Sequence, residues 1–390
     1  MNGPMGENNM HTIKFLKKYG TVQEGLSALK SELGIIVKEY PDDGLYVLNY
    51  DQINSPRSHP IVIECRGLIV DKDLGIVSRA FDRFFNLGEL PEVTKEFSFN
   101  PKTEIYAKMD GSLISVYYNN SKWNIATRGT AFAESANYSG RMFSDMVVEA
   151  FGCTSIKEFN NKMDVLHPYN RLYTHIFEFI SPENRIVTPY DKPEMVLLGV
   201  RNIITGELIT KVNKKYLEAA GLKVRLVEEF RFNELGMNRE SLLSKISGLD
   251  EGFVCYDPVS KVRVKVKSDR YVAMHKLRGE GFTPSPNNIM SLVVEGETEE
   301  YLCYFPTDAK LFSRYIEGFE LFLESLSNSY EKAKDIENQK EFAISIAKHS
   351  FKGLLFEARK TGLTPHDIFS KLSNANKVKY LKAYIEQHNQ

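Results

Sequence analysis

Residues 107–116 read AKMDGSLISV. Lys108 stands near the end of one apolar run, EIYAKM, and just ahead of another, SLISVYY. Between them lies Asp110-Gly111-Ser112, a turn signal. Both runs are short and rich in Ile, Val and Tyr, which predicts two strands joined by a tight turn. A charge at that junction has two readings. A lysine at a strand end can lay its stem on apolar surface and keep its ammonium in water. It can also be a nucleophile, which requires the neutral amine. A free lysine has a pKa of about 10.4, so nearby cations or a metal must lower it.

Strand character spreads outward from this point, from about residue 44 to 275, in GLYVLNY, VIECRGLIV, THIFEFI, EMVLLGV and VRVKVK. A weak helical pattern covers 11–35, one helix is expected near 136–150 and another near 213–220. GEGFTPSPNN, 279–288, reads as a connector. Beyond it Phe312, Ile316, Phe319, Leu323 and Leu326 recur at helical steps. A second helix is expected over 339–361, stopped by Gly362. Thr364-Pro365 reads as the start of another, and a last helix covers 376–388. The expected layout is α+β: residues 1–278 as a domain of antiparallel sheets, with 1–10 a loose tail, then a small all-α domain over 279–390.

Composition narrows the function. The chain is 42% hydrophobic and 26% charged, enough for packed cores. Its net charge of -1 means that any contact with a polyanion must come from a local cluster. From residue 276 on, 15 Lys and Arg face 16 Asp and Glu, so that part has no basic bias. Cys65, Cys153, Cys255 and Cys303 form no C-x-x-C pair, which argues against a disulfide framework and a thiolate zinc site. No signal-peptide pattern or membrane-length apolar run is present, so a cytoplasmic protein without a membrane partner is expected.

Three further stretches carry charge in telling places. In VRVKVKS, 262–268, alternation puts Lys261, Arg263, Lys265 and Lys267 on one face and three valines on the other. That face is either solvated or turned to a polyanion such as a triphosphate. In IFEFISPENR, 176–185, Glu178 sits between two phenylalanines. In LDEGFVCY, 249–256, Glu251-Gly252 opens an apolar strand. Two carboxylates at strand positions can hold a hard cation such as magnesium, or can simply be solvated.

Taken in order, K-x-D-G-S, a strand glutamate, E-G and K-x-K resemble the motif set of covalent nucleotidyltransferases. ECRGLIV (64–70), SRAFDRFFNLGE (78–89), FEFISPENRIV (177–187) and VKSDRYVAMH (266–275) closely resemble the RNA ligase 1 family of T-even bacteriophages. The likeness runs from about 45 to 275 and is faint in the first 40 residues. It implies a nucleotidyltransferase fold with a helical C-terminal domain. It also implies an enzyme that uses ATP and Mg2+, with Mn2+ as a substitute, to join RNA 3′-hydroxyl and 5′-phosphate ends, notably in tRNA broken at the anticodon.

By that resemblance Lys108 carries AMP. Tyr50, Arg66, Arg83, Asp110, Gly111, Glu178, Lys265 and Lys267 bind the nucleotide. Glu178, Glu251 and Glu299 serve the metal, and Arg128 supports phosphate or RNA. The family has lysine where this chain has Arg83, and Arg128 likewise stands where a lysine occurs. The resemblance further implies a monomer in the cytoplasm of a phage host. DNA ligases and capping enzymes share the motifs but follow K-x-K with a strand-rich barrel, where this chain reads as helical. A non-catalytic RNA-binding protein on the same fold has no need of Lys108, Glu178 and Glu251 together.

Overall fold

The computed structural model describes residues 10–51, 54–136, 140–231, 238–278, 283–298, 301–302 and 305–388. The chain forms two compact units, 1–272 and 273–390.

The first unit is built on strands. In chain order they are β1 (Ile35–Tyr40), β2 (Leu45–Tyr50), β3 (Arg66–Asp71), β4 (Ile76–Ser78), β5 (Phe85–Asn86), β6 (Glu104–Lys108), β7 (Ser112–Asn119), β8 (Lys122–Thr127), β9 (Tyr173–Ile180), β10 (Glu194–Asn202), β11 (Leu208–Ile209), β12 (Arg225–Leu226), β13 (Glu229–Phe230), β14 (Gly252–Asp257) and β15 (Val262–Lys267). They make three sheets, ordered β1-β2-β3-β4, β11-β10-β9-β7-β8 with β12 also on β10, and β13-β6-β14-β15-β5. All pairings are antiparallel except two short edges, β12 on β10 and β5 on β15.

Period-two alternation explains which face of each strand is buried. On β15, Val264 and Val266 enter a core with Ile105, Phe253 and Cys255, while Arg263, Lys265 and Lys267 take the other face. Lys261 is not part of that face: it lies before the strand, in the left-handed region at φ 61°. On β9, Phe177 and Phe179 join Trp123, Phe151, Phe159, Met195 and Leu197, and Glu178 points the other way. Helices α1 (His11–Leu16), α2 (Val22–Leu33) and α3 (Pro60–Glu64) cover the first sheet through Leu16, Leu26, Leu29 and Val62.

Two helical expectations change. The helix near 136–150 is confined to Phe143–Ala150, because Gly140 is left-handed at φ 82° and Met142 is extended and bridged to Ala136. The helix expected over 339–361 is two, Gln339–Ile346 and Lys352–Thr361. Between them the Ala347 and His349 N–H groups donate to carbonyls three residues back, and Phe351 is buried with its ring stacked on His349 at 4.8 Å. Gly362 then caps the second helix at φ 72°, and the Thr364 hydroxyl accepts from the Asp367 N–H.

The second unit is helical throughout its described residues. Its longest helix, Ala309–Ala333, buries Phe312, Phe322 and Leu326, and Phe322 packs on the rings of Phe351, Phe369 and Tyr384. The last three residues of the expected connector, Pro286–Asn288, start the helix Pro286–Glu295, capped by Ser285. Glu299, the third expected metal ligand, lies outside the described residues.

His175, on β9, is fully buried beside Trp123, with ring centroids 5.7 Å apart. Among the described residues, no partner meets hydrogen-bond geometry with its ring nitrogens or with Trp123 Nε1. Burial pushes the His175 pKa down to about 4. The unfolded chain therefore binds a proton there below about pH 6.5, and the folded chain does so only near 4. This stability is whole above pH 6.5 and is lost as pH falls through that window. Urea unfolding should show the wild type losing roughly 2 kcal/mol more than His175→Phe between pH 7 and pH 5. Equal losses would contradict this.

Candidate active site

Strand register brings three of the sequence motifs side by side. Gly252 on β14 stands opposite Lys108 on β6 and opposite Lys267 on β15. Glu251, just ahead of Gly252, therefore reaches both lysines: its Oε2 lies 2.7 Å from Lys108 Nζ and its Oε1 2.8 Å from Lys267 Nζ. Gly252 is required because its φ is 135° and a Cβ there would lie 2.1 Å from the Val266 carbonyl oxygen. Glu251 is only 4% exposed, so two cations compensate one buried carboxylate.

A second glycine brings in Glu178. The turn Asp110-Gly111 carries the chain from the third sheet to the second, where Leu113 pairs with Glu178. A Cβ on Gly111 would lie 2.3 Å from the Phe179 carbonyl oxygen, so only glycine lets the end of β6 approach β9 this closely. Gly111 thus sets the spacing between these two strands. Asp110 has a structural part beside it. It is 2% exposed, and its carboxylate accepts from the Val187 and Thr188 N–H groups, each at 2.7 Å, and from the Tyr271 hydroxyl at 2.6 Å. Its own N–H donates to the Tyr190 hydroxyl at 2.9 Å. Asp110 fastens the turn that holds Lys108.

The remaining cations come from the first sheet and the loop after β4. Tyr50 ends β2, with the Arg83 guanidinium 3.8 Å and the Arg128 guanidinium 5.7 Å from its ring centroid. Arg66 opens β3 beside Phe84, and Lys265 lies over the same ring at 4.9 Å. Phe81 and Tyr256 carry Arg263 between them, so Arg263 is a packing group rather than part of a polyanion-facing row. Arg83 is 8% exposed, and its Nη1 has no hydrogen-bond partner among the described residues. A buried donor left open beside other arginines is a place for an anion.

The charges divide the site in two. Burial depresses the Lys108 ammonium, but Glu251, Glu178 and Asp110 outweigh it and hold its pKa above the ordinary lysine value. The carboxylates win over the basic strand, because Glu251 is in contact. The depressed lysine is Lys265, pushed down to about 7 by burial and by Arg66, Lys108 and Lys267. Burial raises Glu178 to about 7 against the pull of Lys108. Burial would also raise Glu251, but Lys108 and Lys267 keep it below the usual carboxylate range. No hydrogen bond or ion pair engages the Glu178 carboxylate among the described residues, and it is the open acceptor of the site.

Sequence reasoning missed Tyr190, Tyr271 and the rings of Phe81, Phe84 and Phe85. The phenylalanines were visible as RAFDRFF, where Phe81 lies two residues after Arg79 and Phe84 directly follows Arg83. The tyrosines carry no local signal, since their partner is 80 or more residues away.

The profile of the RNA ligase family matches residues 64–271. A protein of Autographa californica nuclear polyhedrosis virus that carries the name of a bifunctional polynucleotide kinase/RNA ligase is 32% identical over 375 residues, covering 93% of this chain and 52% of its own length. This chain thus spans about half of that relative. An RNA ligase of Rhodothermus phage RM378 is 25% identical over 343 residues, 75% of this chain and 76% of its own. A solved structure of a Naegleria gruberi RNA ligase mutant with ATP and Mn aligns with a TM-score of 0.38 and 18% identity, over 50% of this chain and 58% of that one. The chain belongs to the RNA ligase family.

Removing the Tyr271 hydroxyl leaves the buried Asp110 carboxylate one donor short. Tyr271→Phe should lower stability by about 1.5–3 kcal/mol in urea unfolding, the range for a hydrogen bond to a charged group. A change below about 0.5 kcal/mol would contradict the fastening role.

Proposed function

We propose that this chain is an ATP-dependent RNA ligase that joins RNA 3′-hydroxyl and 5′-phosphate ends through a lysyl-AMP intermediate. The observation that carries this reading is the placement of Lys108 between a carboxylate that holds its proton and a group of arginines and lysines with an open donor.

Lys108 Nζ attacks the α-phosphorus of ATP. A P–N bond forms, the bond from the α-phosphorus to the bridging oxygen breaks, and pyrophosphate leaves. Glu251 Oε2, 2.7 Å from Nζ, holds the ammonium in place, and a cation taking over this carboxylate would let the amine shed its proton to solvent. Lys265 and Lys267 face the departing charge, and Arg66, Arg83 and Arg128 around Tyr50 hold phosphate oxygens.

Among the described residues no cluster of three or more His, Cys, Asp or Glu is placed to hold a metal. The donor set still fits Mg2+ or Mn2+, since such ions are commonly held by one or two carboxylates with phosphate oxygens and water completing the shell. Glu178 and Glu251 are those carboxylates. A bound Mg2+ would neutralise the carboxylates that keep Lys108 charged and would polarise the phosphoryl group.

AMP then passes from Lys108 to an RNA 5′-phosphate, with the P–N bond broken and a pyrophosphate bridge formed. The RNA 3′-hydroxyl attacks the original 5′-phosphate, and AMP leaves. The helical residues that follow K-x-K favour RNA over a barrel-bearing DNA ligase or capping enzyme. Repair of broken tRNA in a cytoplasm is the setting that this chemistry and the family suit.

Lys108→Ala should fail to seal 5′-phosphorylated RNA with ATP and yet seal RNA already carrying a 5′-adenylyl cap. ATP-dependent sealing by Lys108→Ala would refute the assignment.

A further inference from the structure

Helix α1 and the turn after it present a face that the adenylyltransferase site does not use. Thr12, Ile13 and Leu16 are buried, whereas His11, Lys14, Lys17 and Lys18 are exposed. Positions 11, 14 and 18 run down one side of the helix, with Lys17 beside them. Phe15 and Tyr19 form the next stripe, both half-buried, their rings 5.4 Å apart. Lys18 Nζ lies 5.9 Å from the Phe15 ring centroid. No acidic residue occurs from Met10 to Gln23. Among the described residues, Lys14, Lys17 and Lys18 form no ion pair, although Lys30 and Lys38 on neighbouring elements are paired with Glu39 and Glu134.

This face is tied to the site by one buried carboxylate. Glu64, at the end of α3, accepts the N–H of His11 at 3.0 Å, the N–H of Thr12 at 2.8 Å and the Thr12 hydroxyl at 2.6 Å. Arg66 follows two residues later and opens β3. The lysine-bearing helix is therefore fixed to the segment that delivers Arg66.

We infer that His11, Lys14, Lys17 and Lys18, with Phe15 and Tyr19, form a contact face for a single-stranded RNA substrate. The inference rests on the ligase reading. Uncompensated lysines suit a phosphate backbone, and half-exposed rings suit unstacked bases. The net charge of -1 makes a local cluster of this kind necessary for any RNA contact. An anionic membrane surface could also attract lysines and aromatics, but α1 spends its apolar face on the protein core through Ile13 and Leu16.

The test compares wild type with Lys14→Gln/Lys17→Gln/Lys18→Gln and with the matching triple arginine variant. The probe is a 5′-phosphorylated single-stranded RNA, its affinity read by fluorescence anisotropy over a range of salt. Each phosphate contact contributes about 0.7 to the slope of log affinity against log salt. The glutamine variant should bind about tenfold or more weakly, with a slope shallower by roughly 2, and the arginine variant should restore both. Equal affinity and slope in wild type and glutamine variant would overturn the inference. So would loss of binding to phosphatidylserine vesicles with RNA binding unchanged. Self-adenylylation with ATP, measured alongside, reports on the ligase reading alone: it should be the same in all three proteins, and its absence from all three would refute that reading without deciding the RNA comparison.

Discussion

Everything in the candidate site is arranged around one carboxylate shared by two lysines. Glu251 is nearly inaccessible to solvent, and it meets Lys108 on one side and Lys267 on the other. Leaving such a charge buried without partners would cost several kcal/mol. The pairing is therefore less a source of stability than a constraint on register. β6, β14 and β15 must align so that Lys108, Gly252 and Lys267 stand in one row. A slip of one residue would turn the lysines into the Val264–Phe253 core and expose the valines. The same alternation that buries those valines thus assembles the charged row.

The same arrangement governs the charge of Lys108. Paired with Glu251, its amine is held in the protonated form. Lys265, which has no carboxylate in contact among the described residues, is the lysine near neutrality. Glu178 sits between these conditions, an unengaged carboxyl with a pKa near 7. Such a site gains by receiving a polyanion together with a cation: the first satisfies the arginines and Lys265, and the second takes over the carboxylates from Lys108. Asp110 is kept out of that exchange because its carboxylate is already hydrogen-bonded to Val187, Thr188 and Tyr271.

Much of this was legible in the residues, and what was not has physical reasons. The strands around Lys108, Glu178 and Lys265 were readable because alternation is a local property. The identity of the face was not. Arg263 looks equivalent to Lys265 in the sequence, yet it is taken up by Phe81 and Tyr256. The hold of Glu251 on Lys108 was not legible, because their contact exists only once β6 and β14 pair. The break between Ile346 and Lys352 was hidden by a continuous helical composition and depends on Phe351 turning into the core. The Asp110 fastening joins residues 77 to 161 positions apart, which no window of sequence can show.

The central claim is that Lys108 becomes covalently adenylylated. It is tested most directly by intact-mass measurement of the protein after incubation with ATP and Mg2+, stripped beforehand of any carried AMP, with Lys108→Ala alongside. The account requires the wild type to gain the mass of one adenylyl group and the variant to gain nothing. A wild type that gains no mass, or a variant that still does, would contradict it.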